Sequence, residues 1–372
     1  MPEPAPAGAA LPADGPLRLT PQGLYCVPAD AWIDPWRPVP RALITHAHAD
    51  HARAGSGAYW AAAAGEGVLR LRLGARLPLT PVADDAPLRL GDARISFHPA
   101  GHVLGSAQIL IEAAGERWLV SGDYKRDPDP SCAPFRPVRA DVVISEATFG
   151  LPIYQWAPTP AVAADIVRWW RRAPDLPSVL FCYAFGKAQR LLAELHALGV
   201  RDEVLLHGAI QGLMEPYRAA AVPMVPTAPA SGLAKGESVA GRLILAPPSA
   251  GRTPWMRRFP QAQTAFASGW MTVRGVRRRR GVGRGFVLSD HADWPSLVRT
   301  ILETGAQRVY LTHGQGDGLA RYLREVEGID AQPLRSGEPG AWERREEAED
   351  GGPQVSEAPA SPLARGALSG PA

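Results

Sequence analysis

The stretch "ALITHAHADHARAGSGAYW", residues 42–60, places His46, His48, Asp50 and His51 within six positions directly after an apolar run. Three imidazoles and a carboxylate crowded this closely cannot all be core residues, because burying them without a cation leaves several desolvation penalties uncompensated. A divalent ion such as zinc accepts imidazole nitrogen and carboxylate oxygen, and a catalytic site leaves a position open for water. His46 and His48 alternate along an extended segment, so both rings can face one ion. Asp50 and His51 follow at once and can address a second ion beside it.

Several other β-type runs end at a residue of catalytic type: "WLVSG" before Asp123, "DVVIS" before Glu146, "GFVLSD" before His291 and "RVYLT" before His313. Strands bring distant positions side by side, so polar groups at their ends can meet at one rim of a sheet. "AQILIEAAGERWLV" reads as a hairpin turning at Ala114 and Gly115, and it leads straight to Asp123. His102 in "AGHVLGSA", Asp123 in "SGDYK" and His313 in "LTHGQ" supply the further ligands that a two-ion centre needs. His98, His196 and His207 read instead as strand, helix-surface and hydrogen-bonded residues.

The 372 residues, 46% of them hydrophobic, suffice for a large core and more than one domain. Helical periodicity marks "GKAQRLLAELHALG", where Ala188, Leu191, Leu192, Leu195 and Leu198 share a face, and "TPAVAADIVRWWRRA", with Thr159 as cap and Pro160 in the first turn. Residues 155–268 alternate such helices with strands such as "SVLFCYA" and hold few ligand candidates, so they read as a separate α/β unit. That unit interrupts a metal-bearing domain formed by 17–154 and a return segment, 269–340. The ends, 1–16 and 345–372, are rich in Pro, Ala, Gly and Ser and read as disordered tails. The distant Cys26, Cys132 and Cys182 form no CxxC pair, which argues against a disulfide framework or a thiolate zinc site. With no apolar run near the roughly 18–20 residues of a spanning helix and no signal-peptide pattern, a cytoplasmic protein without a membrane partner is expected.

The order and company of these residues resemble the metallo-β-lactamase superfamily. The resemblance implies an αββα sandwich, with His46, His48 and His102 on one ion, Asp50, His51 and His313 on the other, and Asp123 bridging them. It also implies two divalent ions, zinc or alternatively manganese, and a structural role for Asp34 in "WIDPW", orienting the loop from behind the ligands. Lactams, thioesters and phosphodiesters are all cleaved by such centres, so the fold alone names no substrate.

Glu146 in "ISEATFG", His291 in "LSDHADW" and the late His313 are similar to the three extra motifs of the β-CASP nucleases, which also carry an inserted α/β domain. Two ions lower the pKa of a shared water and neutralise charge building on phosphorus. The leaving oxygen still needs a proton. His291 is the expected donor or phosphate contact, with Glu146 holding its ring and favouring the imidazolium, so Asp50, Asp123, Glu146 and His291 form the expected catalytic group. A glyoxalase or lactamase has no need of the Glu146–His291 pair.

Within β-CASP, "WIDPWRP", "THAHADHAR", "SGWM", the arginine block and "RGFVLSDHADW" resemble the ligase-associated DNA exonucleases over most of residues 20–330. That resemblance implies exonucleolytic DNA end processing in repair, linked to an ATP-dependent DNA ligase and a helicase. A histidine at the third motif is commoner among RNA-cleaving relatives, so an RNA nuclease of the 3′-end-processing type stays open. The net charge of +3 decides nothing. Six arginines between Arg274 and Arg284 matter more: Arg274, Arg277, Arg278, Arg279, Arg280 and Arg284 adjoin the expected site and suit backbone phosphates. Trp270 can stack on a base or serve as packing.

Overall fold

The protein is described from a computed structural model covering residues 10–234, 236–275, 281–314 and 316–334. Three sheets organise it. The first has the order β1 (Leu17–Thr20), β2 (Gly23–Cys26), β3 (Ala31–Ile33), β4 (Arg41–Ile44), β5 (Ala58–Ala62), β6 (Leu79–Val82), antiparallel at its start and parallel from β3 onward.

The second sheet runs β19 (Asp330–Pro333), β18 (Arg308–Gly314), β11 (Val142–Ala147), β10 (Glu116–Val120), β9 (Ala107–Ala113), β8 (Ala93–Pro99), β7 (Leu88–Leu90). β10, β11 and β18 are parallel neighbours, so their carboxyl ends share one rim. The expected β9–β10 hairpin is present, with Ala114 and Gly115 both at positive φ, 51° and 81°.

Period-two alternation builds the core between these two sheets. Ile109 and Ile111 on β9 and Val142 and Ile144 on β11 meet Leu43 and Ile33 from the first sheet, while Leu110 and Val143 point to the opposite face, under the helices Trp294–Thr304 and Gly316–Glu325. Central strands buried on both faces read as continuous apolar runs. Each fully buried Ile or Leu contributes about 1.5–3 kcal/mol through the removal of its surface from water.

The third sheet is wholly parallel: β14 (Thr227–Pro229), β13 (Val204–Leu206), β15 (Leu243–Ala246), β12 (Ser178–Phe181), β16 (Gln263–Ala267), β17 (Arg284–Phe286). Two helices, α2 (Thr159–Arg171) and α3 (Lys187–Ala197), pack with it, and one apolar cluster runs from Ala42, Ile44 and Val68 of helix α1 (Glu66–Leu73) through Ile166 and Leu192 to Leu245. The third-sheet unit is therefore welded to the first sheet.

Several sequence readings shift. The boundary read at 268 falls between two strands of one sheet, because β17 pairs with β16. The strand expected over "GFVLSD" stops at Phe286; beyond it the backbone bonds elsewhere, with Ser289 O accepting from Arg190 and Ala292 N donating to Tyr124 O. Helix α2 begins one residue earlier, with Pro158 as its cap. Leu198 caps α3 and is exposed, off the apolar face assigned to it. The tail read over 1–16 ends sooner: at 10–16 the chain makes a turn in which Gly15 N donates to Pro12 O and Leu11 packs on the core. Residues 1–9 and 345–372 of those tails lie outside the described residues.

Candidate two-metal site

The loop after β4 delivers the first ligand candidates. Asp34, in a left-handed conformation at φ 44°, accepts from Thr45 N (2.8 Å) and Thr45 Oγ1 (2.6 Å), tying the loop root to the preceding segment. Its Oδ2 also lies 2.7 Å from His51 Nδ1. Gly122 can approach this root only without a side chain; a Cβ there would lie 2.7 Å from Thr45 Cβ, at φ 56°.

Each histidine of the first group is anchored by its outer nitrogen, His46 Nδ1 lying 3.1 Å from Thr45 Oγ1, whose own proton goes to Asp34 Oδ2. His102 Nδ1 lies 2.8 Å from Asp290 O, and His48 Nε2 lies 3.4 Å from Phe185 O. A carbonyl only accepts, so each of these nitrogens carries the proton and the other nitrogen offers a lone pair inward. Those inward nitrogens converge: His48 Nδ1 is 3.0 Å from His46 Nε2 and 3.1 Å from His102 Nε2, while Asp123 Oδ2 is 3.5 Å from His46 Nε2 and 3.8 Å from His102 Nε2. Three lone pairs facing one another without a proton between them suit a shared cation.

A second group forms beside it from Asp50, His51 and His313. His51 Nε2 lies 3.5 Å from Asp50 Oδ2 and 3.5 Å from Asp123 Oδ2, and its ring stacks on His313 at 4.9 Å. His313 arrives through a break in register. Glu146 pairs with Thr312 and Ala147 with Gly314, so His313 is an extra residue bulged out of β18, at φ 54°. A bulge re-aims a side chain, here into the cluster.

Asp50 Oδ1, His51 Nε2 and Asp123 Oδ1 are buried without a hydrogen-bond partner. Orphaned polar atoms of this kind are costly unless something binds them. Their oxygen and nitrogen chemistry fits divalent ions: His46, His48, His102 and Asp123 would hold one, and Asp50, His51 and His313 with Asp123 would hold another.

Protonation follows the same logic. Burial pulls His48 down to about 4, and burial followed by the charge of His51 holds His46 well below its usual range, so both remain neutral donors. At His51 burial pulls the other way from Asp50, Asp123 and Asp34, whose combined charge wins and draws a proton onto the ring. A bound cation satisfies those carboxylates in its place.

The third group is Asp123, Glu146 and His291. Glu146, buried at the end of β11, accepts from Tyr124 N through Oε1 at 2.7 Å and meets His291 Nδ1 through Oε2 at 3.0 Å. Burial lowers the His291 pKa, but Glu146 and then Asp123 overcome it and lift the ring to about 10. Trp156 Nε1 donates to His291 O at 3.0 Å and fixes the backbone.

A cleft opens over this assembly, lined by Asp123, His291 and His313 on one side and by Lys187, Ser268 and Trp270 of the third-sheet unit on the other. Trp270 combines both roles read for it: it packs on Phe149 at 4.8 Å and borders the cleft. Arg274 and Arg284 are exposed, and the Arg284 guanidinium lies 4.9 Å from the Phe286 ring centre. Arg277, Arg278, Arg279 and Arg280 lie outside the described residues.

His98 pairs with Asp85 and Ser96, His207 caps a short helix by accepting from Ala209 N, and His196 lies on α3, all apart from the metal groups. Sequence reasoning did not assign Thr45, Phe185, Asp290, Lys187 or Arg190. Two of them act through backbone carbonyls, which carry no residue signature. Lys187 and Arg190 lie one turn apart on α3, but their partners are remote in the sequence.

No family model matches the chain. Over 315 residues it is 34% identical to a protein of Opitutus terrae named "Probable DNA ligase", covering 83% of this chain and 30% of that one. Over 135 residues it is 35% identical to "Endoribonuclease ysh1" of Emericella nidulans, covering 35% and 14%. Over 64 residues it is 39% identical to "Cleavage and polyadenylation specificity factor subunit 3" of Dictyostelium discoideum, covering 17% and 8%. The chain thus spans less than a third of the length of these relatives. A crystal structure of a protein of unknown function from Enterococcus faecalis V583 superposes with a TM-score of 0.54 at 11% identity over 80% of each chain, a likeness of fold alone.

Proposed function

We propose that the protein is a two-metal phosphodiesterase that degrades DNA from an end, its third-sheet unit acting as the β-CASP-like insertion that roofs the substrate groove. The Glu146–His291 pair, set 4.0 Å from Asp123 Oδ2, carries the nuclease reading. Hydrolysis of a lactam or thioester does not call for an imidazolium held by a buried carboxylate beside the metal ligands; a phosphodiester, with its anionic oxygens and alkoxide leaving group, does.

When bound, two divalent ions supply Lewis acidity toward a phosphoryl oxygen and lower the pKa of water. The chain's own residues do the rest. Glu146 keeps the His291 proton on the ring and turns its Nε2–H toward the cleft, where it protonates the departing oxygen. Asp34 and Asp290 hold His51 and His102 in the tautomers that present lone pairs inward. Arg274, Arg284 and the arginines between them grip flanking phosphates, and Trp270 offers a face to a base.

The DNA preference rests on the long match to a protein named as a DNA ligase, which also supports a link to ligation; zinc or manganese are the metals proposed. The relatives named as an endoribonuclease and as a cleavage and polyadenylation factor subunit, together with His313, favour the second reading, an RNA nuclease. Purified protein with zinc or manganese, given end-labelled DNA and RNA of one sequence with defined 5′ and 3′ ends, separates them. Stepwise shortening of DNA is expected. RNA cleavage with DNA left intact establishes the second reading, and no cleavage of either removes both.

A further inference from the structure

Helix α3 belongs to the third-sheet unit, yet two cations one turn apart on it are buried against the loops of the catalytic rim. Lys187 Nζ forms an ion pair with Asp290 Oδ1 at 2.9 Å, with side chains only 2% and 3% exposed, and lies 4.2 Å from the Tyr183 ring centre. Arg190 is spent on three loops at once. Its Nε donates to Asp129, its Nη1 to Ser289 O at 2.8 Å and its Nη2 to Gly101 O at 3.3 Å. Asp129 is in turn fixed by Ser131 N and Ser131 Oγ, at 2.8 and 2.7 Å.

The acceptors are not arbitrary. Gly101 precedes His102, and Ser289 and Asp290 precede His291. The peptide oxygen of Asp290, whose side chain Lys187 holds, is the acceptor that sets the His102 tautomer. One helix face therefore reaches the backbone on which both a ligand candidate and the proton donor are mounted.

Energetics argue that this is more than cement. Dehydrating two ion pairs costs several kcal/mol per ion, and well-packed apolar residues at such places are often as stable or more so. Apolar packing cannot specify which carbonyl sits where; a guanidinium with donors in a rigid fork can.

We infer that Lys187 and Arg190 are positioning residues: they fix the depth of residues 289–291, and with it the placement of His291 and the lone-pair direction of His102. The inference rests on the nuclease reading for its catalytic consequence only. It makes the third-sheet unit a working part of the centre as well as its roof.

The test compares wild type with Arg190→Lys, which keeps the charge but cannot span three loops, and with Lys187→Met, which keeps the stem and removes the charge. In the metal-free protein, amide hydrogen exchange at 289–292 and 101–103 should quicken by about tenfold or more while β9 keeps its protection. The Nδ1–H resonance of His102 should be lost or exchange-broadened. In the metal-loaded protein kcat should fall by roughly 10- to 100-fold with KM moved less than about threefold, since a misplacement near 1 Å can cost that much.

Unchanged exchange at the rim overturns the inference. So does exchange that quickens uniformly while kcat per folded molecule stays intact, which marks a purely structural pair. A wild type that cleaves no nucleic acid defeats the nuclease reading, yet exchange and the His102 resonance still decide the clamp. If Arg190→Lys does not fold, Lys187→Met is judged by the same readouts.

Discussion

His291 Nδ1 faces Glu146 Oε2 at 3.0 Å, and the two residues are 145 positions apart in the chain. Glu146 comes from the end of β11 and His291 from a loop that leaves the third sheet, so the pair exists only when both halves of the molecule are assembled. Replacing His291 by Ala should lower kcat by about 10²- to 10⁴-fold, the usual worth of a positioned acid, with nucleic-acid affinity nearly unchanged. Single-turnover cleavage and a binding assay check this; a loss confined to affinity would contradict the donor role.

Glu146 also gives the pair a pH signature in the metal-free protein. His291 stands at about 10 in the fold against 6.5 for an ordinary histidine. Its charged form therefore stabilises the fold fully below pH about 6.5, and that contribution disappears as the pH rises through about 10. Wild type should lose stability relative to Glu146→Gln across that interval, as measured by urea unfolding at successive pH values. Parallel curves for the two proteins would show that the carboxylate does not hold the proton.

Asp123 is the residue shared by the two proposed ion sites. Asp123→Ala should reduce bound metal from about two ions per chain and abolish turnover, while much of the nucleic-acid binding remains because the arginines are untouched. Elemental analysis after reconstitution and a binding isotherm test both halves of this expectation.

Asp34 touches no proposed ion; it aims His51 and Thr45. Removing such an orienting carboxylate typically costs 10- to 100-fold in metal affinity. Asp34→Ala should show that loss in a competition titration with a chromogenic chelator, and equal affinity would mean the loop is held by other means.

Neutralising Arg277 to Arg280 together should weaken binding and flatten its dependence on salt, by roughly 0.7–0.9 in the log–log slope for each phosphate that is no longer neutralised. Affinity measured between low and moderate salt checks it. An unchanged slope would show that the block does not bind phosphates.

Much of the centre was legible in the sequence because its parts are side chains of distinctive chemistry at the ends of apolar strands. His46, His48, His102 and Asp123 converge, and Asp50, His51 and His313 gather beside them, from segments that the pattern of apolar runs marks. What stayed illegible is the scaffolding that uses peptide groups. Phe185 O and Asp290 O orient two imidazoles, and any residue has a carbonyl. The strand read through "GFVLSD" failed for a related reason: its apolar residues suit a ladder, but Arg190 and Tyr124 compete for the backbone after Phe286. Nothing local reveals the role of Lys187 either, because its partner lies 103 positions later, at Asp290.

The register break in β18 limits how this centre can change over time. Position 313 sits at φ 54°, a backbone region that β-branched side chains enter only at a steep steric cost, whereas Asn, Asp, His and Gly tolerate it. Substitution there is therefore filtered by conformation before chemistry is consulted. A lineage replacing this histidine with valine would first have to iron the extra residue out of the strand, so the identity of that single donor and the length of the strand that bears it are bound to evolve together.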